Sequence, residues 1–225
     1  MAMDVHVVKR GEVLWQIALE SNRTIEQIAL CNGISDPNRI EAGQVLRIPP
    51  KTVVARCPVG RDKTDYFEYG VIYPKGHRFA GKPHTGVDFH EAAGAHVYAI
   101  GPGVLRVHSY DRDGYGWYVL IEHRLPGAPI FSLYGHLERP TQALIHPGQI
   151  VDNQTVIGRE GCTGAGSGGI VHLHFELKQT DELGLFGKVN PGNLDNYYYN
   201  PRQVLENEEF SLLPLWCWNC SRCHE

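Results

Sequence analysis

Two kinds of hydrophobic spacing follow one another along the chain. Val5, Val7 and Val8 make a short apolar run that stops at Gly11. Val13, Leu14, Ile17 and Ala18 then recur at helical spacing, which predicts a short amphipathic helix. Thr24 and Gln27 form a capping-box pair that opens a second helix, with Ile25, Ile28 and Ala29 on one face and Gly33 as its stop. Gly43-Gln44 marks a turn, and Val45 to Ile48 closes the unit as a strand before Pro49-Pro50. Residues 4–49 therefore predict a self-contained βααβ unit.

Residues 50–65 carry prolines and mixed charge without periodicity, as a linker does. From 66 to 205 short apolar runs alternate with Gly, Pro, Asn and Asp, for example Val97–Ile100, Val104–Val107, Tyr118–Ile121 and Ile130–Tyr134. That spacing predicts an antiparallel β domain without long helices. The fold class is α+β: a small mixed unit, then a mainly-β domain. Residues 206–225 form a tail in which Phe210, Leu212, Leu213, Leu215, Trp216 and Trp218 precede Cys217, Cys220, Cys223 and His224. Such an apolar run is expected to pack on the β domain or to contact a carrier or inhibitor protein.

Composition narrows the possible functions. At 225 residues with 42% hydrophobic content, the chain can hold one medium core and a small companion. A formal charge of −4 argues against a dedicated nucleic-acid binder. No stretch approaches ~18 uninterrupted apolar residues, so no membrane span is expected. The first 20 residues lack a signal-peptide pattern, so delivery by an injection apparatus, a phage particle or lysis is the expectation. Twelve histidines are the one biased count, and they direct attention to metal and acid–base chemistry.

Those histidines cluster. In Ile170–Leu177 the alternation of a strand puts His172, His174 and Glu176 on one face and Val171, Leu173, Phe175 and Leu177 on the other. His84 and Asp88 are four apart, an even separation that sets both on one face of an extended segment. His and Asp are good zinc ligands, and a catalytic zinc takes three protein ligands and keeps a position for water. His84, Asp88 and one histidine of the 172/174 pair would complete that set. Leu133-Tyr134-Gly135-His136-Leu137 offers a further histidine at a strand end.

In this order, the H-x3-D element at His84/Asp88, Y-x-H-L at Tyr134–Leu137 and HLHFE at His172–Glu176 resemble the lysostaphin-like zinc metallopeptidases, which cut peptidoglycan peptides. The resemblance spans 66–205. It implies one catalytic Zn2+ held by His84, Asp88 and His174, with His136 and His172 as the catalytic pair. The chain departs from the family pattern in a longer Gly164–Val171 stretch, and in Tyr69–Ile72 where relatives carry an arginine.

The first unit, from Val7-Val8-Lys9-Arg10-Gly11 through Asn32-Gly33-Ile34 to Gly43–Pro49, resembles a LysM module. That implies binding to the N-acetylglucosamine-containing glycan of peptidoglycan through two loops. Gly11, Glu12, Val13 and Leu14 lie in one loop, and Ile34, Ser35 and Asp36 in the other. Together the two resemblances imply a zinc-dependent peptidoglycan endopeptidase tethered to glycan. The alternatives are a non-catalytic wall-binding adaptor or hydrolase activator, and a cysteine peptidase using Cys57 or Cys162.

Overall fold

The computed structural model describes residues 4–21, 23–49, 53–60, 67–125, 128–140, 145–206 and 211–212. The cysteine-rich end of the tail lies outside them. The chain divides into two compact units, one dominated by residues 1–53 and the other by residues 54–211.

In the first unit, β1 (Asp4–Val7) leads through α1 (Leu14–Ser21) and α2 (Ile25–Asn32) to β2 (Val45–Ile48). The strands pair antiparallel, with Asp4 opposite Ile48 and Val7 opposite Val45. The capping box forms as expected. Thr24 Oγ1 accepts the Gln27 backbone N–H at 3.1 Å, and Gln27 Oε1 accepts that of Thr24 at 3.0 Å. Val8, Leu14, Ile17, Ala18, Ile28, Leu46 and Ile48 make the core. Burying each Leu or Ile side chain contributes roughly 1.5–3 kcal/mol before the entropy of ordering is set against it.

The short strand β3 (Val53–Val54) interrupts the segment read as a linker, and pairs with β13 (Ser211–Leu212). The second unit carries β4 (Val87–Phe89), β5 (His96–Tyr98), β6 (Gly103–Asp111), β7 (Gly116–Leu125), β8 (Ala128–Leu137), β9 (Ile150–Val151), β10 (Val156–Arg159), β11 (Leu173–Lys178) and β12 (Tyr198–Tyr199). The main sheet runs β12-β11-β8-β7-β6-β9, and β4 also pairs with β11. One edge of β11 is shared: β4 covers Leu173–Phe175 and β12 covers Leu177–Lys178. The only α-helix described in this unit is α3 (Pro201–Leu205), one turn capped by the Asn200 side chain.

All four quoted apolar runs lie in or overlap strands, and three of those strands are longer than the runs. β6 continues through His108, Ser109, Tyr110 and Asp111, which the apolar pattern does not reach. β4 is shorter than the H-x3-D element suggests: His84 precedes it as irregular backbone after an isolated bridge between Ile72 and Pro83. Leu173, Phe175 and Leu177 are fully buried, so the apolar face of β11 packs into the core as the alternation requires.

Candidate functional site

β11 lies between β4 and β8, and that register builds the site. His174 stands opposite Asp88 on one neighbour and Gly135 on the other. Directly opposed residues project to the same face, so pairing alone brings His174 and Asp88 together. Gly86 permits the approach, since a Cβ there would come within 2.2 Å of the Phe175 carbonyl oxygen. His84 is anchored by its backbone N–H, which donates to Val71 at 2.8 Å, and its ring reaches the same point.

The outer ring nitrogens are committed. His84 Nδ1 is 3.2 Å from the Glu68 carbonyl oxygen, and His174 Nε2 is 3.1 Å from Glu176 Oε1. Both partners only accept, so both outer nitrogens carry hydrogen; this assigns the tautomers from the hydrogen-bond network. The inner nitrogens then present lone pairs. His84 Nε2 lies 3.0 Å from His174 Nδ1 and 3.1 Å from Asp88 Oδ1, and His174 Nδ1 lies 2.9 Å from Asp88 Oδ1. Three buried acceptors facing one another repel unless a cation or a proton sits among them. Corners of a tetrahedron about an ion at ~2.1 Å are roughly 3.4 Å apart, so the donor set fits a small divalent metal with little adjustment. His84, Asp88 and His174 are also the one such group of potential ligands found among the described residues.

The same crowding of acceptors draws a proton toward His174. Burial disfavours charge on His174, but hydrogen bonds to Asp88 and Glu176 outweigh it and push the imidazole up to about 10. Asp88 is held well below the usual carboxylate range: burial opposes its ionisation, and His84 and His174 overcome it. Metal binding must therefore release a proton.

His136 and His172 stand beside this cluster with their rings 4.7 Å apart. His136 ends β8 in the left-handed region, at φ 60°, the only non-glycine residue described with positive φ. Such a conformation persists only where its surroundings enforce it. Here the His136 backbone N–H donates to the Tyr115 carbonyl at 2.6 Å and Nδ1 to the Thr163 carbonyl at 2.9 Å. Gly116, at φ 65°, lets the two loops meet, because a Cβ there would lie 2.3 Å from Thr163 atoms. His172 forms a bridge to Gly161, donates Nδ1–H to the Ile170 carbonyl at 2.9 Å, and sets Nε2 3.7 Å from Asp88 Oδ2. Burial, reinforced by His172 and His174, lowers His136 to about 3. Burial likewise lowers His172. His136 is therefore neutral at pH 7, and its Nε2 is left as an acceptor.

All four of Asp88, His136, His172 and His174 line a cleft of about 670 Å³. One wall is aromatic: Phe79 packs at 5.6 Å from Tyr73 and 4.7 Å from Phe186, ring centre to ring centre. Gly166, Ser167 and Gly168, from the longer stretch before His172, form part of the lining. Sequence reasoning gave no role to three residues that meet here. Glu176 accepts from His174, and Thr85 and Tyr115 both donate to Glu176. The signal for Glu176 was its shared strand face; Tyr115 and Thr85 carried none.

The glycan-loop candidates differ in kind. Glu12 Oε2 accepts the Lys9 backbone N–H at 2.7 Å and lies 2.8 Å from His6 Nε2, so its carboxylate closes its own turn. Leu14 is buried in the core and Ile34 packs against it, so their side chains serve the fold. Gly11, Val13, Ser35 and Asp36 are at or near the surface, and Asp36 Oδ1 accepts the Asn38 N–H at 3.0 Å.

Comparison with known proteins fits this division. Residues 82–185 match peptidase family M23 and residues 6–49 match the LysM domain. The uncharacterized lipoprotein YgeR of Escherichia coli is 27% identical over 201 residues, covering 77% of this chain and 76% of that protein. The peptidoglycan DD-endopeptidase ShyA of Vibrio cholerae is 39% identical over 98 residues, covering 42% of this chain but 20% of that protein. Among solved structures, the catalytic domain of lysostaphin from Staphylococcus simulans is 24% identical with a TM-score of 0.48, over 63% of this chain and 91% of that one. No described helix is long and apolar enough to cross a membrane. Both matched domains imply peptidoglycan as the partner; neither points to a carrier or inhibitor for the tail. The chain thus joins a segment that matches the LysM domain to one that matches peptidase family M23.

Proposed function

We propose that this protein is a zinc-dependent endopeptidase that cuts the cross-linking peptides of peptidoglycan while its LysM domain holds it to the glycan. The observation that carries the proposal is the convergence of three buried lone-pair donors, His84, Asp88 and His174, the last two on the wall of a cleft that also presents His136 and His172. Bound zinc would supply Lewis acidity toward water and the scissile carbonyl. His136, neutral and with Nδ1–H already given to Thr163, offers Nε2 to take a proton from the attacking water or to steady the developing oxyanion. His172, held from Ile170 beside Asp88, takes the complementary role. The aromatic wall excludes water from one side of the peptide. Hydrolase activators of this kind lack metal ligands, whereas this chain carries a full set, which favours catalysis over the adaptor reading.

The LysM domain adds effective concentration at the wall without altering the chemistry of the cut. The test uses the full chain on purified sacculi. Wall lysis should be lost with o-phenanthroline and restored by added zinc; lysis that persists under chelation would overturn the reading. Mass spectrometry of the released muropeptides identifies the bond, with D-Ala to diaminopimelate and a glycine bridge as the two arms. A chain shortened to begin at residue 53 should cleave soluble cross-linked muropeptides at the same rate and bind sacculi more weakly. Equal sacculus binding would remove the glycan role from residues 4–49.

A further inference from the structure

Glu176 lies beneath the metal cradle, fully buried, two residues past His174 on the same strand face. Three donors converge on one of its oxygens. Thr85 Oγ1 is 2.5 Å from Oε1, Tyr115 OH is 2.9 Å away, and His174 Nε2 is 3.1 Å away. The second oxygen, Oε2, is buried with no hydrogen-bond partner among the described residues. A buried carboxylate half of which is unpartnered is costly, and such a group calls for a specific reason.

Tyr115 ties this carboxylate to the rest of the site. Its hydroxyl reaches Glu176, its ring stacks on His174 with centres 5.8 Å apart, and its carbonyl accepts the backbone N–H of His136 at 2.6 Å. The tyrosine is itself fixed by the turn between β6 and β7, where Asp111 Oδ2 accepts its N–H at 3.1 Å. One residue thus touches both the ligand side and the catalytic side of the cleft.

We propose that Glu176, braced by Tyr115 and Thr85, is a positioning residue that fixes the ring of His174 and sets the affinity of the site for a divalent cation. By accepting the Nε2 hydrogen it aims the Nδ1 lone pair at the ion and makes that nitrogen a stronger donor. Its charge completes the balance as well. With two neutral imidazoles and Asp88, one carboxylate offsets half of a divalent charge, and Glu176 offsets the other half. The ring orientation, the tautomer and the neutrality of the buried site then follow from the same side chain.

This inference rests on the proposed zinc site, and its test separates the two. Zinc affinity is measured by chelator competition on the full-length protein, together with the visible absorption of the cobalt-substituted form, which reports ligand geometry. Glu176→Gln keeps the shape but removes the charge, and a neutral amide oxygen accepts these donors more weakly than a carboxylate does. It should weaken zinc binding by roughly 10- to 100-fold and shift the cobalt spectrum, with the metal-free circular dichroism unchanged. Tyr115→Phe keeps the ring and the carbonyl, and should give a smaller loss in the same direction. If Glu176→Gln does not fold, Tyr115→Phe decides alone. Unchanged affinity and spectrum in the folded variants, beside a wild type that binds one zinc, would overturn the positioning role. A wild type that binds no stoichiometric zinc would overturn the zinc site itself.

Discussion

The two units bury polar groups very differently. In the LysM domain the core is apolar, and the polar candidates for glycan contact lie on or near the surface, engaged with their own turns: Glu12 with Lys9, and Asp36 with Asn38. In the peptidase domain Asp88, His136, His172, His174 and Glu176 come from three segments far apart in sequence and are all buried, with His174 hydrogen-bonded to Asp88 and Glu176, and His136 to the Thr163 carbonyl. Burying that many ionisable groups opposes folding unless each is partnered. Their convergence therefore points to a purpose, whereas an exposed loop carboxylate points to none. The contrast also says what variants should do. Changes in the cleft act on chemistry and pH response, and changes in the small unit act on its stability and on tethering.

The largest effect is expected at the ligands. His174→Ala removes the inner Nδ1 and leaves Asp88 and Glu176 without their shared partner. It should abolish both the zinc equivalent and hydrolysis, read by metal analysis of the dialysed protein and by muropeptide release. A full zinc equivalent in His174→Ala would remove it from the ligand set. Next come His136→Ala and His172→Ala, which should retain zinc and lose roughly 10²-fold or more in turnover. Near-native rates in either variant would take that histidine out of the mechanism.

The same contrast explains what could be read from the sequence. The HLHFE alternation gave the polar face of β11, because period-two geometry is local; the same geometry was expected to join His84 to Asp88, but His84 reaches the site from irregular backbone ahead of β4. The order of elements in the first unit was legible for the same reason: Thr24, Gln27 and Gly33 mark a helix by short-range chemistry. What was missing is non-local. Tyr115 lies in a turn and meets Glu176, 61 residues away in sequence, only because the sheet brings them together. The polar half of β6 carries no apolar signal, so its extent was hidden. Leu14 and Ile34, read as loop contacts, serve the core: Leu14 opens the apolar face of α1, and Ile34 packs against that core from just beyond α2.

Acid stability sharpens the comparison at a third site, away from the metal. His123 is fully buried, 2.7 Å from the Pro102 carbonyl through Nδ1 and 2.7 Å from Ser132 Oγ through Nε2. Burial lowers it to about 4, from an ordinary value near 6.5. Between those values the unfolded chain holds more protons than the folded one. The stability is thus complete above about pH 6.5 and is lost as the pH falls toward 4, by up to about 3 kcal/mol from this group. Denaturant unfolding of the peptidase unit from pH 7 to 4.5 should show that slope, and His123→Asn should flatten it by one proton's share. An unchanged slope in the variant would assign the acid response elsewhere.

The smallest effect belongs to the small unit. Thr24 and Gln27 exchange two hydrogen bonds at 3.0 and 3.1 Å at the start of α2, and Ile28 in the following turn is fully buried in the core. Thr24→Ala removes the side-chain acceptor and returns the Gln27 N–H to water, a loss of about 1 kcal/mol for a cap of this kind. In a domain this small that should lower the melting temperature of the LysM unit by on the order of 5 °C. Zinc content and cleavage of soluble muropeptides should stay at wild-type levels, because Thr24 belongs to the small unit and every residue of the site belongs to the other. If Thr24→Ala shifted zinc affinity or soluble turnover, the two units would be coupled and the division drawn between them would fail. If the melting temperature did not move, the cap would be a geometric feature with no energetic weight.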